Sequence, residues 1–494
     1  MNLGEILSSA GLAKPLAPEL AQSPVTGLAY DSRRVSPGVL FFAFPGSKAD
    51  GRQFAADALA GGAVAIASES PAPPDLAERW IQVEHGRRAL AIAARNLFGR
   101  PDERLGLTGI TGTNGKTTTA YLIDSVLRAA GGVTAMIGTI EYHLAGRVLK
   151  AVNTTPESLD LMQIFSDLLR EGGTHVTMEV SSHALALGRV HGLNFHTAVF
   201  TNLTRDHLDF HGDMESYFAA KQMLFEGAGG TPPRFAVLNT DDEHSRRMRI
   251  SPRTQLLRYG MASDADLRPR HIASGFQGLR FDVQYRKQRF AIESPLIGKI
   301  NVYNILAACA TGLSYGLAPE VIARGIASLT AVPGRFERVD EGQPFVVVVD
   351  YAHTDDALRN VIAVARGLSP KRVITLFGCG GDRDRAKRPL MGQAAAEASD
   401  FVVLTSDNPR SEDPLMIMND ALVGIRRTDV PHVVEPDREA AIRHALKEAR
   451  EGDIVILAGK GHETYQVLKD KTIDFDDRSV AREVLKGYGY HKTQ

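Results

Sequence analysis

The stretch GITGTNGKTTT, residues 109–119, lies between an apolar run and a segment with helical character. A glycine-rich turn between a strand and a helix is typical of a phosphate-binding loop, in which backbone N–H groups and a lysine hold phosphates and a hydroxyl reaches Mg²⁺. A strict P-loop has glycine at position 110, where this chain has Ile110; its glycines are Gly109, Gly112 and Gly115. A glycine-rich βα turn without a ligand is the alternative, but the strand–turn–helix context favours binding of a nucleoside triphosphate.

Composition is that of a soluble globular protein with several domains. The length of 494 residues suggests about three domains. The net charge of −1, with no basic stripe, predicts no nucleic-acid partner. Two cysteines, Cys309 and Cys379, exclude a disulfide scaffold and favour a reducing, cytoplasmic setting. The N-terminus lacks a signal-peptide pattern and no apolar stretch is long enough to span a membrane. We expect a monomer.

The chain divides into three predicted α/β domains, residues 1–100, 101–331 and 332–494. In the second and third, strand-like runs such as THVTMEV and FVVLTS each end at a polar cluster, and helical patterns lie between most of them. This alternation predicts a central, doubly wound, mostly parallel sheet of the P-loop type and a C-terminal Rossmann-like α/β domain, after a small N-terminal α/β domain. Ligands of such sheets gather at the carboxyl ends of the strands, so the polar clusters should converge on the phosphate loop.

Glu179 ends a strand that reads as buried, where an unpaired carboxylate is costly. Together with Thr117 it suits Mg²⁺, which prefers oxygen ligands, although a helix cap or a surface ion pair is the alternative. His207 follows another strand and could be a ligand or a structural histidine. Lys221 stands in an apolar helical segment, and the residues alone favour a lysine that snorkels to the surface.

The third domain has charged residues in the loops that follow its strands. Arg383 and Arg410 suit bidentate binding of carboxylates, and Asp407 and Glu463 could accept from an ammonium group. The four together predict a site for a zwitterionic amino acid. An ordinary network of surface salt bridges is the alternative.

Blocks of sequence in all three domains resemble the Mur ligase family, the ATP-dependent amide-forming enzymes of peptidoglycan precursor synthesis. The blocks are GTNGKTT (112–118), MEVSSHAL (178–185), NLTRDHLDFHG (202–212), GKINVYN (298–304), PGRFE (333–337), DYAH (350–353) and GCGGDRD (378–384). The segment DNPR (407–410) resembles the version that selects meso-diaminopimelate over lysine. The resemblance therefore implies addition of meso-diaminopimelate to UDP-N-acetylmuramoyl-L-alanyl-D-glutamate through an acyl phosphate.

The resemblance also implies a role for each matching residue. ATP would be held by Gly112, Thr113, Asn114, Gly115, Lys116, Thr117, Thr118, Asn301, Arg335 and Asp350. The UDP-muramyl dipeptide would meet Tyr30, Ser32, Ser47, Lys48, Ala49, Asn153, Thr154, Thr155, Ser181 and Arg189. Diaminopimelate would meet Arg383, Asp407, Asn408, Pro409, Arg410, Gly459 and Glu463. Two Mg²⁺ ions would be held by Thr117, Glu179, His207 and a carbamylated Lys221, and the catalytic set would be Lys116, Glu179, His207, Lys221 and His353.

Three positions depart from the pattern of the family. Asp355 replaces a proline, Leu187 stands where some relatives have glutamine, and residues 47–49 differ from some relatives in the predicted uridine contacts. Three alternatives stay open: a lysine-adding relative, a folylpolyglutamate-type ligase, and a P-loop switch protein without catalysis. The N-terminal domain argues against the folate type, which generally lacks a matching UDP-binding unit.

Overall fold

The structure is a computed structural model that describes residues 1–46 and 50–491. The N-terminal part has a parallel sheet in the order β1-β2-β3-β4, covered by short helices and 3₁₀ turns. Its strands are Gly27–Ala29 (β1), Val39–Phe42 (β2), Ala65–Ser68 (β3) and Trp80–Gln82 (β4). Its helices are Leu3–Ile6 (α1), Pro18–Ala21 (α2), Ala55–Ala60 (α3) and Gly86–Leu97 (α4), with 3₁₀ turns at Ser32–Arg34, Gly51–Phe54, Pro74–Arg79 and Pro101–Glu103.

The central part is built on one large mixed sheet. Its strands are Gly106–Thr111 (β5), Thr134–Ile137 (β6), Glu141–Leu144 (β7), Arg147–Lys150 (β8), His175–Glu179 (β9), Thr197–Phe200 (β10), Phe235–Asn239 (β11), Gln255–Tyr259 (β12), Leu267–Gly275 (β13), Gly278–Tyr285 (β14) and Gln288–Ser294 (β15). Its helices are Lys116–Ala129 (α5), Ser158–Arg170 (α6), Ser182–Leu187 (α7), Leu208–His211 (α8), Met214–Phe225 (α9), Ile300–Ser314 (α10) and Pro319–Ser328 (α11), with a 3₁₀ turn at Glu243–Arg247.

The order of the central sheet is β15-β14-β13-β12-β11-β10-β5-β9-β6-β7-β8. The neighbouring strands from β13 through β12, β11, β10, β5 and β9 to β6 pair in parallel, as predicted. At the two edges the pairs β13–β14, β14–β15, β6–β7 and β7–β8 are antiparallel. The prediction did not include these edges. The physical signal was present, because the connections between their strands have only two or three residues, and short connections can join only antiparallel strands.

The C-terminal part has a sheet in the order β16-β17-β21-β18-β19-β20, parallel except for β16. Its strands are Glu337–Val339 (β16), Val346–Asp350 (β17), Val373–Cys379 (β18), Phe401–Ser406 (β19), His432–Glu435 (β20) and Ile454–Ala458 (β21), followed by the hairpin Tyr465–Val467 (β22) and Thr472–Asp474 (β23). Its helices are Asp355–Arg366 (α12), Lys387–Ala398 (α13), Pro414–Ile425 (α14), Arg438–Glu448 (α15) and Asp477–Gly487 (α16). The predicted three-part α/β architecture is confirmed. The three sheets fall within the three predicted ranges, whose boundaries stay a prediction.

Helix α12 shows how the sequence builds these layers. Leu358, Val361, Ile362 and Ala365 recur at helical spacing and are buried against the sheet. Thr354 accepts a hydrogen bond from the backbone N–H of Ala357 and so caps the first turn. The central strand β18 is buried along its whole length, as expected for a strand covered by helices on both faces.

The strand register brings the polar clusters of the central domain together. Ile110 of β5 pairs with Glu179 of β9, and Thr111 pairs with Phe200 of β10. The loops that follow these three strands therefore leave the sheet at the same edge, where the phosphate loop begins. In the part of the chain that the structure describes, no helix is long and apolar enough to cross a lipid bilayer.

Candidate active site

The phosphate loop connects β5 to α5 and depends on two glycines with positive φ. The φ of Gly112 is 145° and that of Gly115 is 85°. A Cβ on Gly112 would lie 1.9 Å from Oγ1 of Thr201, and a Cβ on Gly115 would lie 2.6 Å from Oδ1 of Asn304. Only glycine fits this tight turn, which leaves the loop as a cradle at the N-terminus of a 14-residue helix. Such a cradle fits a phosphate chain.

Two lysine side chains meet at one backbone carbonyl of this loop. Lys116 donates from Nζ to the carbonyl oxygens of Gly112 (3.0 Å) and Thr113 (2.8 Å), and Lys221 donates to that of Gly112 at 2.8 Å. Lys221 is only 1% exposed, so it does not snorkel, and the interpretation favoured by the residues alone is wrong. Burial, with the nearby positive charge of Lys116, lowers the pKa of Lys221 well below its ordinary value.

Glu179 ends β9 and is buried beside the loop. Its Oε1 accepts from the backbone N–H of Thr139 at 2.9 Å, and its Oε2 accepts from Oγ1 of the same residue at 3.1 Å. Thr139 thus orients the carboxylate, a role that the sequence analysis missed. Glu179 shares a cavity of about 210 Å³ with Thr117, His207 and Lys221.

His207 reaches the same cavity from a strained backbone position, with φ of 53°. A left-handed conformation costs an ordinary residue about 1–2 kcal/mol and is concentrated at functional sites. Its ring centroid lies 4.9 Å from that of His183, and its Nε2 lies 3.4 Å from Oδ2 of Asp206. Burial lowers the pKa of His207 to about 4; His183 and Lys116 act in the same direction and Asp206 opposes them. A neutral imidazole is the form that binds metal ions.

The side chains around the phosphate cavity supply few metal ligands by themselves. Over residues 1–46 and 50–491, no three His, Cys, Asp or Glu side chains are grouped so that they could hold a metal ion by themselves. The cavity offers Glu179, the hydroxyl of Thr117 and the imidazole of His207 as ligands. This set fits Mg²⁺ in its usual arrangement, in which one or two carboxylates share the ion with substrate phosphates and water.

A second cavity, of about 120 Å³, lies between the central and C-terminal domains and adjoins the phosphate loop. The predicted residues Asn301, Arg335 and Asp350 line it together with apolar side chains. Arg335 lies over the ring of Tyr351 and donates to Oγ1 of Thr117 at 3.2 Å, across the domain boundary. An apolar slot with amides and an arginine beside a phosphate cradle suits the base and ribose of a nucleotide.

The sequence analysis missed two residues that shape this region. Asn304 lines the cavity of about 120 Å³ and donates from Nδ2 to Oδ1 of Asn301 at 2.8 Å. Its position one helical turn after Asn301 was the signal in the sequence that could have predicted this contact. Asp356, in the first turn of α12, accepts from Nδ2 of Asn114 at 2.6 Å and from Oγ1 of Thr204 at 3.1 Å. These bonds tie the C-terminal domain directly to the phosphate loop.

A larger cavity of about 730 Å³ continues from the phosphate site into the C-terminal domain. Its wall on the central side includes the predicted Asn153, Thr154, Thr155, Ser181 and Arg189. On the opposite side it includes the predicted Arg383, Asp407, Asn408, Arg410, Gly459 and Glu463. The structure therefore brings residues predicted to bind the UDP-muramyl dipeptide and residues predicted to bind diaminopimelate into the lining of one cavity. Leu187, which the sequence analysis left out of the site, also lines it.

The phosphate cavity and this larger cavity adjoin each other. Their shared lining residues are Thr154, Ser181, Asp206, His207, Tyr351, His353 and Thr354. His353 is among them, and its Nδ1 lies 2.8 Å from the carbonyl oxygen of Tyr351. Because a carbonyl can only accept, Nδ1 is the protonated nitrogen, which leaves Nε2 free to accept a proton. Burial lowers the pKa of His353, so the ring is neutral at physiological pH.

Several predicted residues are not gathered into these cavities. Tyr30 donates to Oδ2 of Asp160 at 2.5 Å, and Ser32 begins a 3₁₀ turn in the N-terminal domain; neither lines the cavities described above. Pro409 lies between lining residues without lining the large cavity itself. The predicted uridine contacts Ser47, Lys48 and Ala49 lie outside the described residues.

Family models match each of the three domains. The model of the Mur ligase family, catalytic domain, matches residues 24–97, that of the Mur ligase middle domain matches 110–312, and that of the Mur ligase, glutamate ligase domain, matches 334–461. These ranges follow the order of the three sheets.

Individual relatives match over the whole chain. A protein of Solibacter usitatus (strain Ellin6076), named UDP-N-acetylmuramoyl-L-alanyl-D-glutamate–2,6-diaminopimelate ligase, is 90% identical over 494 residues, 100% of both chains. A protein of the same name from Geobacillus thermodenitrificans (strain NG80-2) is 48% identical over 94% of this chain and 95% of its own. A solved structure of a ligase of that name has 33% identity and a TM-score of 0.71, covering 99% of each chain. The chain belongs to the Mur ligase family.

Proposed function

We propose that this chain is an ATP-dependent ligase that joins meso-diaminopimelate to UDP-N-acetylmuramoyl-L-alanyl-D-glutamate in peptidoglycan precursor synthesis. One observation carries the proposal: the phosphate cavity adjoins the large cavity, which ends at Asp407, Arg410 and Glu463. A carboxylate that lies at the junction would meet a phosphate donor on one side and an incoming amine on the other. The names of the relatives that match the whole chain support the same substrates.

In the first step, the side-chain carboxylate of D-glutamate attacks the γ-phosphorus of ATP, and ADP leaves with the electrons of the broken P–O bond. Lys116, whose Nζ already lies over the loop carbonyls, is placed to contact the transferred phosphate. The glycine cradle holds the phosphate chain in line with the attacking oxygen, so the protein contributes alignment and electrostatic stabilisation. The product is an acyl phosphate on the dipeptide.

In the second step, an amine of diaminopimelate attacks the acyl carbon, and phosphate leaves as the tetrahedral intermediate collapses to an amide. Only a neutral amine has the electron pair that this attack requires. We assign to His353 the acceptance of the amine proton at Nε2, because its Nδ1 proton is held by the carbonyl of Tyr351. Its position in the lining of both cavities supports this role.

Mg²⁺ would be held by Thr117, Glu179 and His207, and it supplies charge neutralisation for the phosphate oxygens. We propose two ions, because Lys221 can become a further ligand after carbamylation. Burial lowers the pKa of the Lys221 ammonium group and so favours loss of a proton. The resulting amine can form an N–C bond with CO₂ and lose a second proton, so that a cation that would repel Mg²⁺ becomes an anionic ligand. A ¹³C-carbamate signal at Lys221 after equilibration with ¹³CO₂ tests this assignment, and an unmodified amine at saturating CO₂ contradicts it.

The three domains are proposed to divide the substrates among them. Residues 1–100, with Tyr30, Ser32 and residues 47–49, would bind the UDP group, residues 101–331 would bind ATP, and residues 332–494 would bind the amino acid. We also propose a cytoplasmic monomer, for which sedimentation analysis gives the mass in solution.

A phosphate-release assay tests the function directly. Purified protein is incubated with ATP, Mg²⁺ and UDP-muramyl dipeptide, first with meso-diaminopimelate and then with lysine. We expect release that depends on both the dipeptide and diaminopimelate, and little release with lysine. Release with lysine alone would identify a lysine-adding enzyme, and ATP binding without amino-acid-dependent release would identify a switch protein.

A further inference from the structure

Lys460 lies beneath the amino-acid end of the large cavity and is completely buried. Its Nζ donates to Oδ1 of Asn408 at 3.0 Å and to the carbonyl oxygen of Tyr465 at 2.8 Å. The same nitrogen lies 3.4 Å from Oδ1 of Asp407 and 3.6 Å from Oε2 of Glu463. Burying an ammonium group is costly unless it is paired, so these four contacts explain how the lysine is tolerated there. Three of the four partners are predicted ligands of diaminopimelate.

These contacts fix which way the amide of Asn408 faces. Two donors, Nζ of Lys460 and the backbone N–H of Val467 at 2.9 Å, meet the same end of the amide, which must therefore be the oxygen. The NH₂ end is turned the other way and donates to Oε2 of Glu463 at 2.9 Å. An NH₂ group has a second proton, and no acceptor among the residues described here takes it. Asn408 therefore presents a donor to the cavity, which suits a carboxylate.

Lys460 also sets the charges of the two acids in the subsite. Burial by itself would raise the pKa of Asp407, but the adjacent Lys460, with Arg438 behind it, holds it below its ordinary value. Asp407 therefore stays ionised at neutral pH. Burial and the charge of Asp407 raise the pKa of Glu463, and Lys460 and Arg410 oppose this rise. Without Lys460, the carboxylates of Asp407 and Glu463 would repel each other with no ammonium group between them.

We propose that Lys460 is a positioning residue that sets the specificity of the amino-acid subsite by holding the Asn408 amide with its NH₂ group toward the ligand and by separating the charges of Asp407 and Glu463. This inference rests on the proposed function. The subsite then offers a fixed donor beside Arg410 for the second carboxylate of the ligand, and a fixed anion for its second ammonium group. Lysine has no second carboxylate, so it gains nothing from the orientation of Asn408.

The test compares three variants in the phosphate-release assay with ATP and UDP-muramyl dipeptide saturating. Lys460→Met keeps the length of the side chain but removes its donors and charge. Asn408→Asp keeps an oxygen for Lys460 and Val467 but replaces the outward NH₂ group with an oxygen, so it removes the donor while the Lys460 ammonium group stays in place. Lys447→Met changes an exposed lysine of the same domain and is the matched control.

For Lys460→Met we expect the KM for diaminopimelate to rise by about tenfold or more, with kcat within about threefold, since the lost contacts serve ground-state and transition-state binding equally. The KM values of ATP and the dipeptide should not move, and the preference for diaminopimelate over lysine should fall by about tenfold or more. Asn408→Asp should raise the same KM by at least about tenfold, while the KM values of ATP and the dipeptide stay unchanged. Lys447→Met should behave as the wild type.

Diaminopimelate-dependent release by the wild type separates this test from a failure of the proposed function. With that activity present, an unchanged KM for diaminopimelate in Lys460→Met or in Asn408→Asp overturns the role of Lys460. A second combination of results would also overturn it: Lys460→Met has a lower melting temperature and raised KM values for all three substrates, while Asn408→Asp behaves as the wild type. A lysine with a purely structural role would give these results.

Discussion

Replacement of Arg410 by alanine should remove most of the selectivity for diaminopimelate. The backbone of Arg410 is held at φ of 53°, and its Nη1 donates to the carbonyl oxygen of Gly381 at 2.8 Å. That bond anchors the guanidinium at the wall of the large cavity. In the chain as described, no acceptor takes a hydrogen bond from Nε or Nη2, which form the edge that binds a carboxylate in bidentate fashion.

The magnitude follows from this geometry. Hydrogen bonds to charged groups contribute about 1.5–3 kcal/mol each, so two such bonds contribute about 3–6 kcal/mol. At about 1.4 kcal/mol for each tenfold change, kcat/KM for diaminopimelate should fall by about 10² to 10⁴. Lysine lacks the second carboxylate, so its kcat/KM should change by less than about threefold.

The assay measures phosphate release at varied diaminopimelate and lysine with the other substrates saturating. Arg410→Lys is the matched variant, because it keeps the charge but loses the pair of N–H donors that binds a carboxylate. Its kcat/KM for diaminopimelate should lie between that of the wild type and that of the alanine variant. Arg443→Ala, which breaks an exposed ion pair with Glu439, controls for the loss of an arginine in this domain. Equal losses for diaminopimelate and lysine, or an unchanged ratio between them, would refute the assignment of Arg410 to the second carboxylate.

Three further predictions concern the phosphate loop and the buried charges. In protein freed of CO₂, the pKa of Lys221 is lowered in the folded state, so between that value and the ordinary 10.5 the unfolded chain binds a proton that the folded chain does not. Wild-type stability should therefore rise with pH in that window, and urea titrations of Lys221→Met should show a smaller rise, since the pKa of Lys116 is also lowered by burial; an identical pH profile would contradict the prediction. Gly112→Ala should weaken ATP binding by at least about tenfold in calorimetry, because its Cβ would clash with Thr201. Gly131→Ala, also at a positive φ (86°) but in open space, should bind ATP normally. Arg438→Met should lower the free energy of unfolding by roughly 3–5 kcal/mol in urea, since it leaves the buried partner Asp477 uncompensated; a loss below about 1 kcal/mol would contradict this.

The fold was largely readable from local patterns. Apolar runs that end at polar clusters, with helical segments between them, predicted the parallel strands β5, β9, β10 and β11 and, in the C-terminal sheet, β17, β18, β19 and β21. The antiparallel edges were not predicted, although the connections of two or three residues between their strands are a local signal for antiparallel pairing.

The site was predicted less evenly. Residues within motifs, such as Lys116, Glu179 and His207, could be predicted, because their chemistry is tied to a local spacing, and they line one cavity in the structure. Thr139 and Asp356 were missed, since a threonine in a loop and an aspartate at the start of a helix are common and have ordinary explanations. Their importance comes from partners that lie 40 and 242 residues away in the chain.

The sequence by itself determined the kinds of chemistry available: a glycine-rich loop for phosphates, carboxylates and a histidine suited to Mg²⁺, and arginines suited to carboxylates. Backbone freedom and side-chain chemistry belong to each residue, so they can be recognised in a linear pattern. Only the tertiary structure decided that the Lys221 amine is buried against the loop, and that Lys460 lies between two acids. Burial and the distance between charges arise from packing of distant segments, and these two quantities set the pKa values on which the proposed mechanism depends.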